Sequence, residues 1–275
     1  MTSTSTSTST GKMPVLFAGH GSPMNALDAE SPFSQTFTTL GQQLPTPKAL
    51  LVVSAHWFVN GTWLTAEATP KTLHDFGGFP RALYEMQYPA PGAPDLARQV
   101  QRMLSASTTD ASRTVGLSTE WGLDHGTWTV LKWMVPNADV PVVQLSLDRR
   151  LSAAQHVALA TSLRDLRHQG VVVVGSGNVT HNLRDAITRM RSGAAETPAW
   201  AQRFDDDVKR ATVQHDLPAL QRMLDGDDGR QAHPSPDHWW PYLYAAALTD
   251  ADDDVSFSSE VFDAGSLSMR NTRWG

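Results

Sequence analysis

Ten histidines and no cysteine set the chemistry open to this chain. Without thiols there is no thiolate nucleophile, no cysteine-built zinc or iron–sulfur site and no disulfide framework. Polar chemistry falls to imidazole, carboxylates, hydroxyls, Lys and Arg, or a metal held by nitrogen and oxygen ligands. Three histidines follow strand-like runs: His20 in Gly19-His20-Gly21-Ser22-Pro23, His56 in Ser54-Ala55-His56-Trp57, and His181 behind the turn Gly175-Ser176-Gly177-Asn178. His238 follows Pro234-Ser235-Pro236-Asp237, where Ser235 or Asp237 suits a helix cap, and His125 precedes another helical stretch in Asp124-His125-Gly126-Thr127. A single histidine at a strand end is usually a hydrogen-bonding boundary residue; three in Gly-rich turns of one sheet favour a shared site. No His-x-x-x-His or Glu-adjacent pattern is present, so spacing alone does not decide for a metal. Gly175-Ser176-Gly177-Asn178 lacks the following Lys or Arg of a phosphate cradle, and Gly19-His20-Gly21-Ser22 is not a nucleophile elbow.

The elements that must position these residues are legible as short apolar runs alternating with amphipathic ones. Residues 14–18, 49–54, 140–147 and 171–175 read as strands, and 63–67, 113–117 and 255–262 as edge-strand candidates. Residues 94–105, 127–134, 152–167, 198–214 and 237–248 show helical spacing. The alternation predicts an α/β single-domain layered fold with a central, mostly parallel or mixed sheet flanked by helices. In such sheets ligands bind outside the carboxyl ends of the strands, so neighbouring strands would bring His20, His56 and His181 to one crevice. His156, His168 and His215 lie on charged helical stretches and are expected on solvated faces. His74, in the loop Leu73-His74-Asp75-Phe76-Gly77-Gly78-Phe79, is either part of a pocket lid or turn chemistry; it and His233 are possible outer-shell residues. Trp57, Trp121, Trp128 and Trp239 flank candidate histidines and are candidates for an aromatic pocket wall.

The Ser/Thr-rich stretch 1–12 is expected to be disordered, with 13–275 forming one domain. A net charge of −6 gives no support for a nucleic-acid partner. There is no signal-peptide pattern and no window near the roughly 18 apolar residues of a membrane span, so a cytoplasmic protein is expected.

Seven motifs occur in one order: Gly19-His20-Gly21-Ser22-Pro23-Met24-Asn25, Ser54-Ala55-His56-Trp57, His74-Asp75-Phe76-Gly77-Gly78-Phe79-Pro80, Tyr88-Pro89-Ala90-Pro91-Gly92, Asp124-His125-Gly126-Thr127-Trp128, Gly175-Ser176-Gly177-Asn178-Val179-Thr180-His181-Asn182-Leu183 and Pro236-Asp237-His238. Together they resemble the 4,5-DOPA extradiol dioxygenase family, in the LigB-like (class III) extradiol ring-cleavage superfamily, from about Met13 to Met269. The resemblance implies a LigB-like domain and a non-haem metal: Fe(II) for catalysis, with Zn(II) often the ion found bound. It implies His20, His56 and His238 as metal ligands and His181 as acid/base or possible fourth ligand. It also places His125 beside the substrate's oxygen atoms. Superfamily relatives commonly use two histidines and a carboxylate; here His238 takes the third place. The reaction implied is O₂-dependent extradiol cleavage of a catechol, with 4,5-cleavage of L-DOPA to a muconic semialdehyde the leading candidate.

Other readings of the same residues are a zinc-dependent hydrolase with an open fourth position and a non-catalytic metal- or aromatic-binding protein. Asp124 is placed either to orient His125 or to cap the following helix. Arg81, Arg184 and Arg270 are available for a substrate carboxylate.

Overall fold

The computed structural model describes residues 11–107, 114–194 and 196–275. Its strands are β1 (Val15–Gly19), β2 (Ala49–Val59), β3 (Thr62–Thr65), β4 (Val115–Ser118), β5 (Val142–Asp148), β6 (Val171–Gly177), β7 (Val255–Ser258), β8 (Phe262–Asp263), β9 (Leu267–Ser268) and β10 (Asn271–Trp274). Its α-helices are α1 (Pro32–Gln42), α2 (Arg81–Tyr84), α3 (Pro94–Ala106), α4 (His125–Met134), α5 (Ala153–Thr161), α6 (Leu183–Ser192), α7 (Ala199–Val213), α8 (Leu217–Arg222), α9 (Asp227–Ala232) and α10 (Trp240–Ala247).

Eight strands form one mixed sheet in the order β4-β3-β5-β2-β6-β1-β10-β7. The centre, β5-β2-β6-β1, is parallel, and β10 and β7 extend it antiparallel beyond β1. This is the α/β fold with a mixed sheet that the alternation of runs predicts. The central strands are apolar at successive positions because both faces are covered. In β1, Val15 and Phe17 pack into the layer holding α3, α5, α7 and α10, while Leu16 and Ala18 face the layer holding α1 and α4. Each fully buried Val, Leu or Phe of this kind contributes about 1.5–3 kcal/mol relative to exposure.

Several sequence-derived bounds shift. The strand expected at 49–54 runs on to Val59. The run 255–262 breaks at Ser259, whose φ is +56°, and its end opens the hairpin β8–β9 instead. The helix expected at 152–167 ends at Thr161, and Arg164–Gln169 continues as a 3₁₀ turn. Likewise 237–248 divides into the 3₁₀ turn Pro236–His238 and α10. Of the strand expected at 113–117, residue 113 lies outside the described residues, as do residues 1–10 of the Ser/Thr-rich stretch. Lys12 is paired with Asp250 and Asp253, both at 2.9 Å. No helix among the described residues is long and apolar enough to cross a membrane.

His156 departs from expectation. It is fully buried, its Nδ1 lies 3.3 Å from the Tyr244 hydroxyl and its ring packs 5.3 Å from that of Trp240. The reason is that α5 packs against α10, so the face bearing His156 is interhelical despite its polar neighbours. His168 is exposed as expected, and His215 is half-buried.

Candidate functional site

β6 lies between β1 and β2, so the carboxyl ends of three adjacent parallel strands open on one crevice. His20 follows β1 directly, with its N–H bonded to the Gly177 carbonyl at 3.0 Å. His56 sits within β2, where pairing with β6 ends at Ser54 and the register with β5 breaks between Val53 and Phe58. Such an irregularity re-aims a side chain that a regular strand would turn elsewhere. His238 ends its 3₁₀ turn, and its carbonyl accepts the Asn178 N–H at 3.2 Å. A Cβ on Gly177 would strike that carbonyl, so glycine is required there for close approach of backbone to backbone.

The rings of His20, His56 and His238 stand at the corners of a triangle, with centroids 4.9, 5.2 and 5.0 Å apart. One ring nitrogen from each lies within 4.8 Å of those of the other two. The outer nitrogens of His20 and His238 are hydrogen-bonded. His20 Nδ1 is 3.0 Å from Ser176 Oγ, and that hydroxyl gives its only proton to the Gly126 carbonyl at 2.5 Å. Ser176 therefore accepts from His20 Nδ1–H, which leaves His20 Nε2 as a bare lone pair. His238 Nδ1 donates to Asp237 at 2.5 Å, and its Nε2 is buried without a hydrogen-bond partner. His56 Nδ1 faces Asp75 at 3.7 Å, and its Nε2 lies 3.1 Å from His20 Nε2.

Burial and the mutual repulsion of the imidazoles hold all three in the neutral form. His20 and His238 are pushed well below the ordinary histidine range, and His56 to about 3 despite Asp75 and Asp237. Three neutral imidazoles with converging nitrogens, two of them with an acceptor behind the ring, form a donor set that suits a metal. Two nitrogens about 2.1 Å from one ion lie about 3.0–3.4 Å apart, which brackets the observed His20–His56 separation. The residues fit a metal.

Two further histidines complete the site. His125 opens α4, and both its backbone N–H (2.8 Å) and its Nδ1 (2.9 Å) are held by Asp75. Burial raises the Asp75 carboxyl, but the bond from His125 and the nearby imidazoles outweigh that and hold it low. Asp124 proves to be the cap of α4, accepting from Thr127 N–H (3.1 Å) and from Ser54 Oγ (2.7 Å), with Gln144 on its other oxygen. Burial, reinforced by Asp75, pushes Asp124 up to about 6. His181 stacks on His238 at 3.4 Å with 7° between planes. A ring nitrogen of His181 lies within 4.8 Å of one on His238 and of an Asp237 carboxylate oxygen, so this ring stands beside the triad. His181 is pushed down to about 4 by burial and His233, with Asp237 opposing, so it is neutral at pH 7. His233 is buried and donates from Nε2 to the Val179 carbonyl (2.7 Å), bracing the loop before His181.

Above these rings is a cavity of about 640 Å³. Its aromatic wall is made by Phe33, Phe76 and Phe79, not by the tryptophans: Trp57 and Trp121 stack on each other, and Trp128 and Trp239 are core. Phe76 and Phe79 come from the Gly-Gly loop that also carries His74, whose Nε2 bonds the Met86 carbonyl at 3.0 Å. None of the three candidate arginines lines the cavity. Arg81 is exposed and paired with Glu85, Arg270 is buried against Asp205 and Glu260, and Arg184 lines a neighbouring cavity. Sequence reasoning left Asp75, Ser176 and Asp263 without a role, although Asp75 and Ser176 lie inside quoted motifs. Their signal was adjacency to glycine or histidine, which shows no partner until the fold closes.

Comparison with known proteins agrees with this geometry. A family model described as the catalytic LigB subunit of aromatic ring-opening dioxygenase matches residues 14–273. A protein of Escherichia coli (strain K12) named 4,5-DOPA dioxygenase extradiol is 42% identical over 271 residues, covering 97% of this chain and 96% of that one. A protein of the same name from Beta vulgaris is 32% identical, covering 92% of each chain. The crystal structure of a protein from Escherichia coli K12 superposes with a TM-score of 0.79 at 38% identity, covering 96% of this chain and all of the other. The chain belongs to the LigB family of aromatic ring-opening dioxygenases and is an extradiol dioxygenase.

Proposed function

We propose that the chain binds Fe(II) through His20, His56 and His238 and cleaves a catechol beside its diol with O₂, with 4,5-cleavage of L-DOPA to the muconic semialdehyde as the leading reaction. The observation that carries this is the convergence of three neutral imidazoles, two of them backed by a hydrogen-bond acceptor, on the floor of an apolar cavity. Ferrous iron, when bound, supplies a centre where catecholate and O₂ meet and exchange electron density. Zn(II) suits the same three nitrogens and is expected to compete for them.

The chain's own residues do the rest. The phenyl walls exclude water and hold the ring flat, which supplies orientation. His181, neutral and beside the three imidazoles, takes the second catechol proton at a ring nitrogen and returns it to the departing oxygen. His125 is held by Asp75 through Nδ1–H, so its Nε2 is the atom left for the substrate. When the ring carries its second proton, Nε2–H donates to the developing oxyanion and Asp75 balances the charge.

The test is oxygen uptake by anaerobically iron-loaded protein supplied with L-DOPA. One O₂ consumed per catechol lost, with a yellow product, is expected; metal-loaded protein that consumes no oxygen with any catechol overturns the reading.

A further inference from the structure

The cavity above the histidines has an unequal charge. Apart from the imidazoles, the one ionisable side chain among its lining residues is Asp263, and no Lys or Arg contributes to it. Asp263 is half-buried, and among the described residues its carboxylate makes no hydrogen bond and no ion pair. A carboxylate left unpaired in a mainly apolar cavity lacks the compensation that partly buried charges normally find.

Its backbone setting is built. Asp263 ends β8, and the next residue, Ala264, also lines the cavity with φ at +46°, in the left-handed region that non-glycine residues rarely adopt. The hairpin is tied to the loop bearing His181: the Thr180 hydroxyl donates to the Ser266 carbonyl at 2.8 Å, and Ser268 N–H donates back to that hydroxyl at 2.8 Å. Asp263 and His181 are thus held on one hydrogen-bonded unit.

With the diol at the imidazoles, a ring substituent extends into the rest of the cavity, whose lining includes Phe33, Phe76, Phe79 and Asp263. An ammonium is the group that suits both a carboxylate and phenyl faces. An anionic tail meets Asp263 and no balancing cation. We infer that Asp263 reads the substrate's side chain and that the chain selects catechols carrying an alkylammonium tail over neutral and anionic ones. This rests on the catechol-cleavage reading and names the class of substrate for that site.

Three catechols differing in tail charge test it: 4-(2-aminoethyl)catechol, 4-ethylcatechol and 3,4-dihydroxyphenylacetate, compared by kcat/KM for oxygen uptake and by calorimetric binding. The amine is expected to exceed the neutral compound by about tenfold and the anion to fall below it, the scale of one charge-assisted hydrogen bond. In Asp263→Asn the amine-to-neutral ratio should fall toward one. A wild-type ratio at or below one, or a ratio that Asp263→Asn leaves unchanged, overturns the inference. If none of the three consumes oxygen, catechol cleavage falls, and the same ratios measured in binding still decide the role of Asp263.

Discussion

The Ser176 hydroxyl stands between His20 Nδ1 and the Gly126 carbonyl, and because it gives its proton to the carbonyl it can only accept from the imidazole. One hydroxyl therefore sets which nitrogen of His20 is bare. Replacing it by Ser176→Ala leaves the ring free to take the other tautomer and to turn. Metal affinity should fall about 10–100-fold, the usual cost of losing a partner behind a ligand. Competition with a chelator measures it, and an unchanged affinity would show that Ser176 does not orient His20.

Asp75 grips His125 at two points and faces His56 from 3.7 Å. Asp75→Asn keeps the size of the side chain and removes the charge that balances a protonated His125. A fall in kcat of about 100-fold is expected, in the range for a lost proton-transfer partner, with KM changing much less. Steady-state oxygen uptake, normalised to metal content, separates this from simple metal loss.

His181→Ala should abolish turnover while metal stays bound, since the three imidazoles of His20, His56 and His238 remain to hold an ion. Any of His20→Ala, His56→Ala or His238→Ala should instead lose metal along with activity. Metal analysis of the four purified variants decides between these roles, and a His181→Ala protein devoid of metal would make it a ligand.

A Cβ at position 126 would lie 2.7 Å from Ser54 Oγ and 2.8 Å from His56 Cδ2. Gly126→Ala must push His56 away or shift the start of α4. About 1–3 kcal/mol of stability is at stake, as in other overpacked sites. Metal affinity should suffer as well, and thermal melts with and without added metal would show both effects.

Far from the site, Arg167 and Asp253 form a fully buried bidentate pair, at 2.6 and 2.8 Å, with Lys12 beside it. Burial alone would raise the Asp253 carboxyl, but these cations and the Asp250 N–H hold it well below the usual range. A carboxyl depressed in the folded state stabilises the fold above its unfolded pKa of about 3.9, and that contribution is lost as pH falls through the folded value. Asp253→Asn should cost about 3–5 kcal/mol at pH 7, because it strands a buried guanidinium. Urea melts at pH 7 and pH 3.5 should show a smaller acid-induced loss in the variant than in the parent.

Much of the fold was legible because the central strands are buried on both faces and read as continuous apolar runs. The helices α1 and α6 were not. In α1, Thr36, Thr38, Thr39 and Gly41 dilute the helical signal, although Ser31 and Pro32 form a regular cap and first turn. In α6 the apolar residues Leu183, Ile187 and Met190 are exposed, and Leu183 and Met190 line the cavity, so its stripe does not mark a core. The five site histidines stood out through their motifs: glycines beside His20 and His125 and in the turn before His181, a strand end before His56, and a proline-rich approach to His238. The residues behind them, Ser176 and Asp75, could not, since their roles depend on contacts 156 and 50 residues away in sequence.

The pairing of β1 with β10 bears on how the molecule is made. Gly19 N–H, next to His20, is held at 2.9 Å by the Asn271 side chain, 252 residues further along. At ribosomal speeds of about 5–20 residues per second, those partners emerge on the order of 10–50 seconds apart. Throughout that interval the apolar strand leading to His20 lacks its antiparallel neighbour, so the histidine floor of the cavity is among the last parts of a nascent molecule to set. A shortage of folding assistance should therefore show first as full-length protein poor in metal.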